Sequence, residues 1–93
     1  MLMDTHSAST RSFPLSLASD GEWLRVTTVV GGKNMLKRLF AMGITDGSEL
    51  EVIHRQTDSG IVIRYGETRW AIGHGMAHKI RVVKINPPSD SVS

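Results

Sequence analysis

No cysteine occurs anywhere in the chain. A disulfide framework, iron–sulfur ligation, a thiolate zinc site and a cysteine nucleophile are therefore excluded, and hydrophobic packing must carry the fold. No apolar run approaches the roughly 18–20 residues that span a bilayer. The start, Met1-Leu2-Met3-Asp4-Thr5-His6, lacks the basic and apolar regions of a signal peptide, so a cytoplasmic chain is expected. Charge of one sign is scarce as well. Eleven Lys/Arg against nine Asp/Glu leave a net charge of +2, with the signs interleaved. That pattern lacks the clustered basic stripe of a nucleic-acid binder.

Motifs of catalysis are also missing. Gly31-Gly32-Lys33-Asn34 does not have the G-x-x-x-x-G-K-[ST] spacing that wraps a triphosphate. Gly73-His74-Gly75-Met76-Ala77-His78 departs from G-x-G-x-x-G at its last position, and no βαβ unit surrounds it. No nucleophile-elbow motif is present. The chain is expected not to be an enzyme.

What remains is ordinary globular composition, 40% hydrophobic and 22% charged, in 93 residues. That supports one small domain. Residues 1–12 read as a disordered polar tail, 13–85 as the folded domain, and 86–93 as a flexible C-terminal tail. Ser16 is placed to cap one helical turn. From Glu22 to Val30, β-branched residues at period two predict a half-buried strand, with Leu24, Val26, Thr28 and Val30 inward. Gly31-Gly32 ends it. From Lys33 to Met42 the period changes to three and four, through Met35, Leu36, Leu39, Phe40 and Met42, which predicts an amphipathic helix. Gly43 then suits a left-handed stop, with Ile44 placed to touch Leu39. Further strands are predicted over 49–55 (Leu50, Val52 and His54 inward), 61–65, 68–72 and 80–85. Gly66-Glu67 forms a hairpin turn and 73–79 a single helical turn. The expected fold is mainly β: a five-stranded barrel, with one amphipathic helix after the first strand packed on an opening and short helical turns near each end.

The run Pro14-Leu15-Ser16-Leu17-Ala18, Gly21, Gly31-Gly32, the motif Arg38-Leu39-Phe40-Ala41-Met42-Gly43-Ile44 with Gly47, and the ending Trp70-Ala71-Ile72, Ala77, Ile80-Arg81-Val82 together resemble the FeoA family. The resemblance spans Leu15 to Val83. It implies an SH3-like barrel and an accessory protein of bacterial ferrous-iron uptake. It further implies docking on the cytosolic part of FeoB, a membrane GTPase-permease, at the inner face of the inner membrane. The same domain type occurs in metal-dependent repressors related to the diphtheria-toxin repressor.

Two candidate sites follow from the residues. His74 and His78, four apart, fall on one face if 73–79 is helical and are placed to share a divalent transition metal such as iron or zinc. His54 or Glu51 is the candidate for a further ligand. The plainer reading is two surface histidines, with Gly75 weakening the helix. No cofactor is required. For partner binding, the stripe Met35, Leu36, Leu39, Phe40 and Met42 is broader than so small a barrel can cover, although most of an amphipathic stripe is ordinarily core; Met35, Leu36, Leu39 and Met42, with Lys37 and Arg38 at the rim, are the candidate contacts. Trp23 lies out of phase with the inner face and is either an interface anchor or a cover for its neighbours, whereas Trp70 reads as cover. Neither nucleic acid nor membrane insertion is expected, and homo-oligomerisation is left open. The alternatives to transporter docking are a small-barrel nucleic-acid module and a histidine-based metal sensor.

Overall fold

The computed structural model describes residues 11–56 and 59–87. Most of the two expected tails lies outside these. Along the chain come β1 (Phe13–Pro14), a 3-10 turn (Leu15–Leu17), β2 (Trp23–Val29), α1 (Lys33–Ala41), β3 (Glu49–Gln56) and β4 (Gly60–Tyr65), then β5 (Thr68–Gly73), α2 (His74–Lys79) and β6 (Ile80–Ile85). The strands form one antiparallel sheet in the order β1-β6-β2-β3-β4-β5. The five predicted strands are all present. A sixth, the two-residue β1, joins the edge of β6 through Phe13 and Val82. Arg81 secures the approach to it by donating to the Ser12 carbonyl at 2.9 Å and to the Ser12 hydroxyl at 3.1 Å.

The sheet coils into a small SH3-like barrel around Leu15, Leu24, Val26, Leu50, Val52, Ile61, Ile63, Ile72, Ile80 and Val82, all buried. Period-two alternation selects most of these residues. It fails at two places, both marked by register shifts. Between Val26 and Thr28 the β2–β6 pairing slips, so Thr28 and Val30 are exposed while Val29 turns toward the core. Between Val52 and His54 the β3–β4 pairing slips likewise, and His54 faces outward. Each is a β-bulge, in which one extra residue reverses the facing of everything beyond it.

The seam between edge strands β1 and β5 is covered by α2, which also packs on the 3-10 turn and β4 and buries Ala77. This corrects the expectation that the longer helix plugs the barrel. In α1 only Leu39 is buried, Met35 and Met42 are half-buried, and Leu36 and Phe40 stand out. The stop of α1 is as expected. Gly43, at φ +85°, donates to the Phe40 carbonyl at 2.9 Å, and Ile44 donates to the Leu39 carbonyl at 2.9 Å. Those two bonds make a Schellman motif, and the buried Leu39 and Ile44 supply its apolar contact. Ser16 is not a cap. It lies inside the 3-10 turn, whose N-cap is Pro14, and its buried hydroxyl has no partner among the described residues.

Candidate functional site

The composition of α1 sets the character of the groove beside it. Its nine residues include Lys33, Lys37 and Arg38 and no acid. No side chain caps its N-terminus, where Lys33 opposes the helix dipole, while Arg38 in the last turn complements it. The helix is held chiefly by Leu39 and the Schellman stop. Beside it lies an open groove of about 590 Å³. Leu39 and Ile44 are buried in its lining, and Val29, Leu36 and Phe40 complete the apolar wall, with Lys37 and Asp46 at its polar positions. Phe40 is 73% exposed and Leu36 45%, against 1% for Leu39. An aromatic and a leucine side by side in water form the kind of apolar patch that marks an interaction site.

Six of the seven residues expected to bind a partner lie on or next to this helix. Leu36, Lys37 and Leu39 line the groove. Leu39 is a core residue whose contribution is the floor. Met35 and Arg38 turn toward α2 and, with Met76 and Lys79, line a second groove of about 380 Å³. Met42 is half-buried against the core. Trp23 is elsewhere. It begins β2, six extended residues or about 20 Å from Val29, beside Glu22, Lys84 and Ile85. Its half-burial there, between Glu51 of β3 and Ile85 of β6, suits cover for its neighbours better than a place on the α1 face. Trp70 also packs against the core.

Phe40 belongs to the stripe of five large apolar side chains that so small a barrel cannot wholly cover, yet it is missing from the residues expected to bind a partner; at 73% exposure it is the most exposed of them.

The histidine pair is brought together. α2 is helical from His74 to Lys79, and the rings of His74 and His78 stack at 6.4 Å between centroids and 19° between planes, both exposed. The two further ligand candidates are engaged elsewhere. His54 Nδ1 lies 3.4 Å from Asp20 Oδ2, and Asp20 Oδ1 accepts the Arg55 backbone N–H at 2.7 Å. Glu51 pairs with Arg64. Among the described residues, no group of three or more His, Asp or Glu is arranged to hold a metal.

The model of the FeoA domain matches residues 13–84. A crystal structure of an iron uptake regulatory protein, FeoA, is 33% identical with a TM-score of 0.76, covering 81% of this chain and all of that one. A FeoA-like protein from Clostridium acetobutylicum is 18% identical with a TM-score of 0.73, covering 85% of this chain and 93% of that one. A manganese-dependent transcriptional repressor, 24% identical with a TM-score of 0.76, shares the fold; the match covers 82% of this chain and 43% of the repressor. No curated protein matches the chain.

Proposed function

The chain belongs to the FeoA domain family, and on that premise we propose that it is a non-catalytic accessory protein of bacterial ferrous-iron uptake. It docks through α1 on the cytosolic part of a FeoB-type GTPase-permease and modulates transport. The supporting observation is the uncovered groove of Leu36 and Phe40 over the Leu39–Ile44 floor. Withdrawing an exposed Leu or Phe fully from water contributes about 1.5–3 kcal/mol each, enough for two side chains to anchor a modest interface. Lys37 lines the groove and Lys33 and Arg38 lie on the same helix, with no ion-pair partner for any of the three among the described residues. An apolar segment carrying acidic residues fits that surface, the charges speeding encounter and setting orientation. No described helix is long and apolar enough to cross a membrane.

The test is association with the purified full-length permease and, separately, with its soluble GTPase part. Phe40→Glu and Leu36→Glu are expected to weaken binding at least about tenfold while leaving the fold intact, because both side chains are exposed. Absence of association with either form, or wild-type affinity in both variants, removes this reading.

A further inference from the structure

A pair of histidines outside the lining of the α1 groove is carried by α2. That helix has one face built into the barrel. Ala77 is fully buried, Met76 packs on the core, and the helix end runs directly into β6 at the buried Ile80. The opposite face therefore cannot roll, and it presents His74 and His78 one turn apart. Their rings stand nearly parallel, 6.4 Å between centroids. Two imidazoles bound to one ion at about 2.0–2.1 Å, with a near-tetrahedral angle between them, bring the centroids to about 5 Å. The gap between that and the stacked arrangement is closed by side-chain rotation alone, with no backbone change. Gly75 between the two histidines has open space around it and presents no side chain to the ion. Neither ring has a hydrogen-bond or ion-pair partner among the described residues, whereas His54 is engaged by Asp20. No contact need be broken for the α2 pair to bind.

We propose that His74 and His78 chelate one divalent ion of the zinc, nickel or copper class, in a bidentate surface site whose remaining positions are open to water. The donor set determines the ion. Two neutral imidazoles, with no Asp or Glu grouped beside them among the described residues, favour late first-row metals, and affinity falls from Cu²⁺ through Ni²⁺ and Zn²⁺ toward Fe²⁺. The site is thus a sensor or capture point for competing metals, and iron(II) is the most weakly held ion of that series. It does not depend on a transporter partner, so its failure would leave the docking reading untouched.

The experiment titrates Zn²⁺, and separately Fe²⁺ without oxygen, into the full chain and its His74→Ala, His78→Ala and His54→Ala variants. Heat and the histidine ring NMR signals are followed. One saturable Zn²⁺ site is expected, perturbing the two α2 rings. Affinity should be unchanged in His54→Ala, weaker about tenfold or more in either α2 variant, and weaker for Fe²⁺ than for Zn²⁺. Both substitutions are at exposed positions, and circular dichroism verifies that the variants remain folded. Equal Zn²⁺ affinity in wild type and a His74→Ala/His78→Ala double variant overturns the site. So does a loss that tracks His54, or tighter binding of Fe²⁺ than of Zn²⁺.

Discussion

Replacing Gly60 by alanine tests the barrel at its tightest backbone crossing. Gly60 opens β4 opposite Gly73 of β5 and has φ +136°, a region that side-chain-bearing residues rarely enter. A Cβ placed there falls well inside van der Waals contact distance of the Ile72 carbonyl oxygen and 3.0 Å from Gly73 Cα. Both obstacles are backbone, so no rotamer change relieves them. Forcing the φ costs about 1–3 kcal/mol and overpacking a further ~1–3 kcal/mol, a total of about 2–6 kcal/mol. A domain of this size has about 5–10 kcal/mol to lose. Gly47→Ala is the control, since Gly47 sits at φ +91° with nothing within 4 Å of an added Cβ and risks only the conformational cost of about 1–2 kcal/mol. Urea unfolding followed by tryptophan fluorescence reads both. With a slope near 1 kcal/mol/M for a small protein, Gly60→Ala is expected to lower the midpoint by about 2 M or more, or to abolish the folded baseline. Gly47→Ala should shift it by about 1–2 M. If Gly60→Ala proves as stable as Gly47→Ala, the β4–β5 crossing is not close-packed and the steric reasoning is refuted.

Leu39→Ala removes the one buried side chain of α1 and is expected to destabilise the protein by about 2–5 kcal/mol in urea unfolding, with the groove floor opened and α1 loosened in amide exchange. A cost under about 1 kcal/mol would mean that α1 is not anchored there. Ser16→Ala separates a cap from a buried hydroxyl. A cap would lose about 1 kcal/mol, whereas a hydroxyl with no partner among the described residues should yield a variant as stable as wild type or more so.

The boundaries of the elements were legible because they rest on local chemistry. Gly31-Gly32 cannot propagate a strand well, Gly43 accepts the left-handed stop, and Gly66 turns β4 into β5 between Tyr65 and Thr68. The helical spacing of His74 and His78 was legible for the same reason. What periodicity could not show was the pair of bulges, because a register slip is a property of two strands together. Thr28 and His54 were therefore assigned to the inner face, and both lie outside.

Period, turn residues and composition specify a small, mainly β fold with a single apolar-striped helix. Which helix covers the barrel was decided only in three dimensions. Two edge strands leave a seam that the short α2 fills with Ala77, and a core already closed by strand residues has room for Leu39 alone from α1. Burial is a competition for a fixed interior volume among residues far apart in the chain. Leu36 and Phe40 satisfy the same pattern as Leu39, and they are left facing solvent by where their neighbours lie.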